Sequence, residues 1–425
     1  MREDLPGPQR ADTDDDEGLS GYLEDDPRRP GTLFQAGTKD VALAPAPSHS
    51  VRGRRRARRC PESSNHHKPE RMMRRTHGSA RVLFSAALMA SLVGAVAPTA
   101  AAAEPRACAW TPAILPLPAG ALTGDVAAAD GSGGYAGTIS YGADSAQGGR
   151  AVLWKNGEFT DYGNLDDPEY QNWVNVAGVN DAGTVVGAAY READGLPGAV
   201  RSRNGKLERL PELPDAYAST AEGVNDHGDI VGAVGTADGD ALYWHPVIWP
   251  ADKPGTVVEL TGSPDTEAIA TGIDQDGTVL VEADFDGDRV PYLWKNGEAR
   301  QLPLPDGAYD VITRGISNGR VIGQVSYDSG DDGRSVLWDR DGQPRVVERG
   351  EDVRGINRDG QIVGRTDDPS WHEFGVWQLT TPGSTLSYAP DRGLELTVSS
   401  DDGTIAGQSW KIPGGRDEPT VWTCR

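Results

Sequence analysis

The stretch Val176-Ala-Gly-Val-Asn180-Asp-Ala-Gly183-Thr-Val-Val-Gly187 sets two short β-branched runs on either side of an Asn-Asp-Ala-Gly turn. Asn and Asp bond their own backbone in turns and Gly supplies a positive φ, so the stretch reads as a β-hairpin. It recurs as Gly223-Val-Asn225-Asp-His-Gly228-Asp-Ile-Val-Gly232, as Gly272-Ile-Asp274-Gln-Asp-Gly277 and as Gly315-Ile-Ser317-Asn-Gly319-Arg-Val-Ile-Gly323. Two further copies are Gly355-Ile-Asn357-Arg-Asp-Gly360-Gln-Ile-Val-Gly364 and Ser400-Asp-Asp-Gly403-Thr-Ile-Ala-Gly407. The glycine closing the second run falls at 137, 187, 232, 323, 364 and 407, with Val281 in its place once. These seven positions span 270 residues, a mean period of 45.

A second hairpin travels with the first. Ala151-Val-Leu-Trp154-Lys-Asn-Gly157 and Tyr292-Leu-Trp294-Lys-Asn-Gly297 are its clearest copies. Each repeat thus holds four short strands, a to d, in meander order, and a period of this size fits one blade of a β-propeller. The expected architecture is all-β: a seven-bladed propeller of four-stranded blades. A β-solenoid is the rival fold, but it would favour shorter, more uniform coils and would not need its ends to meet. The last repeat stops at strand c, Val421 to Cys424, while Ala113-Ile-Leu-Pro-Leu-Pro118 resembles the strand-d segment Ala299-Arg-Gln-Leu-Pro-Leu-Pro305. The N-terminal segment is therefore expected to complete the C-terminal blade, which removes two unpaired sheet edges. Cys108 and Cys424 would then be neighbours at the seam and are expected to form a disulfide. Trp154, Trp249, Trp294, Trp338, Trp377 and Trp422 recur on strand c and are read as packing between blades.

The Val-Leu-Trp strand, the Asn-Gly turn and the Ile-Asn-x-x-Gly-x-Ile-Val-Gly hairpin resemble the HAF-type extracellular repeats of bacteria over about residues 108–425. Val or Leu stands where that pattern has Phe, Ser202 replaces one Trp, and Val281 replaces one Gly. The resemblance implies an exported repeat protein with a propeller as its shape; it brings no known catalytic set.

Three segments are expected. Residues 1–71 carry an acidic and then a basic run with almost no apolar periodicity, as in a disordered leader or a mis-called start before Met72 and Met73. Residues 72–103 have the form of a signal peptide: Arg74, Arg75 and Arg81, then the uncharged run Val82 to Ala97, then small residues to Ala103. Residues 104–425 form the propeller. The residues before Cys108 make no lipobox, and the apolar run is shorter than the ~20 residues of a membrane span, so no membrane anchor is expected. Of 41 basic and 64 acidic residues, 25 and 51 lie from Glu104 onward. That balance disfavours nucleic acid, whose binding rests on Lys and Arg. A secreted monomer is expected.

Function points to the loops joining d to a and b to c, which share one face. There Tyr170, Trp173, Tyr217, Trp244, His245, Tyr309, Trp371 and His372 are candidate ligand contacts, interspersed with Asp residues. Rings that stack and carboxylates that accept protons suit an extracellular glycan or protein partner. A non-catalytic binding module is the leading reading. A glycan hydrolase or lyase using loop acids, and a scaffold without a small ligand, stay open. No cofactor is expected beyond Ca²⁺ at Asp284, Asp286 and Asp288, whose alternating carboxylates flank a glycine but lack the rest of a calcium loop.

Overall fold

The computed structural model describes residues 109–142, 149–170, 173–238, 241–262, 267–285, 287–327 and 333–425. The expectations for residues 1–71 and 72–103, and those for Cys108 and Asp286, lie outside them. Among the described residues there is no helix, and the strands form seven antiparallel sheets. Blade 2 is representative: strands a to d are Trp173–Val179, Val185–Tyr190, Pro197–Arg203 and Lys206–Arg209, paired in that order. Strand a of blades 3 to 7 is Ala216–Val224, Ala268–Ile273, Ala308–Ser317, Gly350–Ile356 and Arg392–Ser399. In blade 1 it is interrupted, as Thr123–Gly124 and Ala128–Ala129. Each strand a touches the next in sequence, and Arg392–Ser399 touches Ala128–Ala129. These contacts close a ring of seven blades with strand a innermost.

Blade 7 is split between the chain ends. Trp110–Ile114 pairs antiparallel with Glu418–Cys424, Trp110 opposite Cys424 and Ile114 opposite Thr420. The closing strand thus precedes the Leu-Pro-Leu-Pro motif rather than containing it. Glu298–Gln301 stands in the same relation to Leu302-Pro-Leu-Pro305. Proline has no N–H for a ladder, so the strand stops where the motif begins. In both blades the first Leu of the motif makes the last bond: Leu115 N–H to the Pro419 carbonyl (2.8 Å) and Leu302 N–H to the Pro291 carbonyl (2.9 Å).

The a–b turns repeat one device. Asn180, Asn225 and Asn357 accept the N–H four residues on at 2.8–2.9 Å, and the closing glycines 183, 228 and 360 have φ of 78°, 88° and 84°. The Asn side chains also bridge blades: Asn180 Nδ2 donates to the Asn225 carbonyl (3.0 Å) and Asn357 Nδ2 to the Ser400 carbonyl (2.9 Å).

The recurring strand-b glycine answers a β-bulge on strand a. Register slips by one residue at Val176/Gly178, Ala221/Gly223, Ala270/Gly272, Thr313/Gly315, Val353/Gly355 and Leu396/Val398. The blade 4 bulge faces Val281; in the other five a strand-a carbonyl is swung onto the facing glycine. A Cβ on Gly187 would lie 1.9 Å from the Asn175 oxygen, and one on Gly232 would lie 1.9 Å from that of Thr220.

The strand-c tryptophans do more than fill space. Trp154 Nε1 donates to the Pro116 carbonyl (2.8 Å), Trp249 to Pro211 (2.6 Å), Trp294 to Thr261 (2.9 Å), Trp338 to Pro303 (2.7 Å) and Trp377 to Glu348 (2.7 Å). In each case the acceptor follows strand d of the preceding blade. Trp154, Trp338 and Trp377 are almost wholly buried. In blade 2, where Ser202 stands instead, its hydroxyl accepts the Val185 N–H (2.9 Å).

Candidate functional site

The strand-a bulges bring one residue per blade to equivalent places around the axis: Ala177, Glu222, Thr271, Arg314, Arg354 and Thr397 in blades 2 to 7. All are only partly buried although they sit on the innermost strands, so they face the central channel. Two residues earlier on each strand stand Asn175, Thr220, Ile269, Ile312, Asp352 and Glu395, and Asp125, in the interruption of blade 1, takes the same place with its carbonyl on Gly137. Apart from Glu222 of blade 3, the charged members of these positions lie in blades 5, 6, 7 and 1. Asp352 binds Arg314 Nη2 (3.0 Å) and Arg354 Nε (2.9 Å), and Arg354 Nη1 binds Glu395. Glu395 also accepts Gln408 Nε2 (2.9 Å). That relay runs across blades 5, 6 and 7 and ends at the seam.

Beyond it lies a cleft of about 250 Å³ lined by Thr123, Gly124, Asp125, Thr138, Trp173, Asn175, Gln408 and Asp417, among others. Blades 1, 2 and 7 all contribute, so the cleft exists only because the ring closes. Gly124 N–H bonds the Asp417 carbonyl (3.0 Å), tying the b–c loop of blade 7 to strand a of blade 1. Asp125 accepts the Thr138 N–H (2.9 Å). Burial pushes its carboxyl up to about 6, against the backbone bonds that favour the charged form; Asp417 and Glu395 add to the rise. Asp417 is raised as well, by burial and then by Glu395. Among the described residues neither Asp125 nor Asp417 has an ion-pair partner. Trp173 lies at the rim, stacked on Tyr190 with centroids 4.3 Å apart. Facing the channel from blade 3, Glu222 is raised by burial.

Of the residues expected as ligand contacts, Trp173 alone lines this cleft. Tyr170 is 3% exposed and packs in the core beneath Arg209, whose Cζ is 4.6 Å from the ring centroid, so it presents no ligand surface. Tyr217 is exposed beside Arg191 in a separate outer pocket with Glu169 and Asp194. Tyr309 is exposed near the start of its strand a. Trp244 and His245 are not loop residues: the blade 3 hairpin extends to Asp238 and Ala241, and they pair with Gly235 and Val234. His245 contacts Thr236 Oγ1 (2.9 Å) and Glu259 Oε1 (3.2 Å). Trp371 and His372 stand exposed on the b–c loop of blade 6. Asp284 accepts the Gly287 N–H (2.9 Å), a turn cap, while Asp288 is exposed on strand c. Among the described residues no cluster of His, Cys, Asp and Glu has the form of a metal site. Sequence reading missed Asp125, Asn175, Gln408 and Asp417. The copied carbonyl-on-glycine geometry could have marked the first two as channel positions; the other two follow only from ring closure.

No protein-family model and no curated protein sequence matches the chain. Solved structures are similar to it in fold at low identity. TolB from Acinetobacter baumannii aligns at 13% identity and a TM-score of 0.45, covering 69% of this chain and 67% of TolB. An acylaminoacyl peptidase from Pyrococcus horikoshii aligns at 14% and 0.40, covering 69% of this chain and 50% of the peptidase. A gluconolactonase from Xanthomonas campestris aligns at 13% and 0.34, covering 72% and 88%.

Proposed function

We propose that this chain is an exported HAF-type repeat protein, its seam stapled by a Cys108–Cys424 disulfide, that binds an extracellular glycan at the seam cleft without turning it over. The observation that carries the reading is the pair of carboxylates, Asp125 and Asp417, set without an ion-pair partner among the described residues in a cleft between blades 1, 2 and 7. Carboxylates in such a place accept hydroxyl or amine protons; the amides of Asn175 and Gln408 add donors and acceptors, and Trp173 offers an aromatic rim. The acidic charge of the chain from Glu104 onward favours neutral or amino sugars over polyanions. The signal-peptide pattern and the repeat resemblance support export. Backbone bonds between Ala109 and Arg425, 3.2 and 3.4 Å, support the disulfide, since Cys108 adjoins the one and Cys424 the other.

Binding of the protein to an immobilised panel of neutral, amino and acidic glycans tests this. Asp125→Asn and Asp417→Asn should each weaken a neutral or amino-sugar hit by about tenfold, the scale of one hydrogen bond to a charged group. Hits that both variants leave unchanged would remove the cleft from the reading.

One feature favours a second reading. An acid titrating near 6 beside another carboxylate is the pairing that glycosidases use as general acid and partner. Release of reducing sugar from a bound glycan, abolished by Asp125→Asn while binding persists, would establish it.

A further inference from the structure

The b–c loop of blade 6 shares its charges unevenly. Arg349 takes two carboxylates, Asp367 (3.0 Å) and Glu373 (3.2 Å). Asp368 accepts the amide (3.0 Å) and hydroxyl of Ser370. Arg365, on strand b Gln361–Thr366, has no ion pair among the described residues, and its Nε is buried without a hydrogen-bond partner.

Trp371 frames the same spot. The Arg365 Cζ lies 5.1 Å from its ring centroid. Trp371 is 44% exposed and has φ of +63°. A large aromatic residue in the left-handed region costs on the order of 1–3 kcal/mol, and such strain gathers at functional sites. The turn that imposes it is closed by Trp371 N–H on the Asp368 carbonyl (3.0 Å). His372 stacks on Tyr388 (4.3 Å), and Tyr388 meets Trp410 edge-on (5.5 Å). Gly393 leaves room for that row, since a Cβ there would lie 2.4 Å from the Trp410 ring. Arg365 makes no side-chain hydrogen bond or ion pair among the described residues, so its Nη groups stay available for an anion such as a carboxylate.

We propose that Arg365 and Trp371 form a second binding site, specific for a single carboxylate-bearing sugar within an otherwise uncharged glycan. Its carboxylate meets the guanidinium edge and its ring lies against the exposed aromatic side chains of the loop. The net negative charge of the chain disfavours a polyanion here as elsewhere. This site differs from the seam cleft in blade and in the charge it requires, so neither depends on the other.

Saturation-transfer NMR titrations with methyl glucuronide, methyl glucoside and N-acetylaspartate test the proposal. Methyl glucuronide should bind saturably and at least about tenfold more tightly than the other two, which a 1.4 kcal/mol preference gives. Arg365→Gln and Trp371→Ala should each weaken it by a similar factor, Trp371→Phe should restore part of the loss, and Asp125→Asn should leave it unchanged. Trp371 is exposed on a loop, so the melting temperature of Trp371→Ala separates lost binding from lost fold. The proposal is overturned by absence of saturable glucuronide binding, by equal binding of the Trp371→Ala protein, or by N-acetylaspartate binding as tightly as the glucuronide.

Discussion

Asp125 shows what one residue contributes. Its carboxyl, raised from 3.8 to about 6 in the folded protein, holds its proton more tightly than in the unfolded chain. Its stabilising contribution is therefore fully present below about 4 and is lost as pH rises through 6. A shift of this size corresponds to at most about 3 kcal/mol, less where the cleft admits water. Asp125→Asn keeps the acceptor for Thr138 and removes the ionisation. It should raise the melting temperature at pH 7.5 and change it little at pH 4, as thermal melts at the two pH values would show; an equal change at both would place the proton elsewhere. Glycine supplies the opposite case. Gly232→Ala forces a Cβ to 1.9 Å from the Thr220 oxygen, so the bulge must move, and urea denaturation should register a loss above about 3 kcal/mol. Gly205→Ala, with nothing within 4 Å but φ of 77°, should cost only about 1 kcal/mol.

At the scale of the strand and blade, the repeat made most of the fold legible. Asn-Asp-x-Gly and Asn-Gly turns recurring at a mean spacing of 45 residues give strands, order and blade count without tertiary information. The site was much less legible, for a physical reason. Alternation along strand a separates two faces but does not say which one looks into the channel, so Asp125 and Glu395 cannot be assigned to it before the ring is closed. The blade 3 hairpin, lacking a strong turn signal before Asp238, runs long and takes Trp244 and His245 out of the loops. The strand-c tryptophans pack between blades as their recurrence implies, while the indole N–H bonds of five of them depend on carbonyls 29–38 residues upstream that no local pattern announces. Those bonds make strand c of blades 1, 3, 4, 5 and 6 a clamp on the preceding blade. Trp338→Phe keeps most of the ring volume but leaves the Pro303 carbonyl without its donor. Denaturant titration should show a loss of about 1–3 kcal/mol, the cost of an unpaired buried polar group, with the propeller still formed. A loss below about 0.5 kcal/mol would mean that the bond is not a clamp.

For the whole molecule, closure decides both stability and site. The cleft draws on blades 1, 2 and 7, and the last blade's outer edge is held by Trp110–Ile114 on Glu418–Cys424, by the flanking Ala109–Arg425 and Leu115–Pro419 backbone bonds and by Trp110 Nε1 on Ser384 Oγ (2.8 Å). In an open ring Asp417 would leave Asp125, and two strand edges would be exposed to other chains. A Cys108–Cys424 bond would act mainly on the unfolded chain, tying its ends across more than 300 residues; the chain-entropy relation gives roughly 5–6 kcal/mol, an upper figure because residual structure lowers it. Cys424→Ser should therefore lower the denaturation midpoint strongly and convert the seam from a covalent to a reversible contact. Amide exchange would then rise first in Trp110–Ile114 and Glu418–Cys424 and later in blades 3 to 5. Glycan binding at the seam cleft should weaken in step with seam exchange, whereas glucuronide binding at Arg365 in blade 6 should persist until the ring itself unfolds. Intact mass without reductant, showing two alkylatable thiols at Cys108 and Cys424 in the unaltered protein, would remove the staple from this account and leave closure to the strand alone.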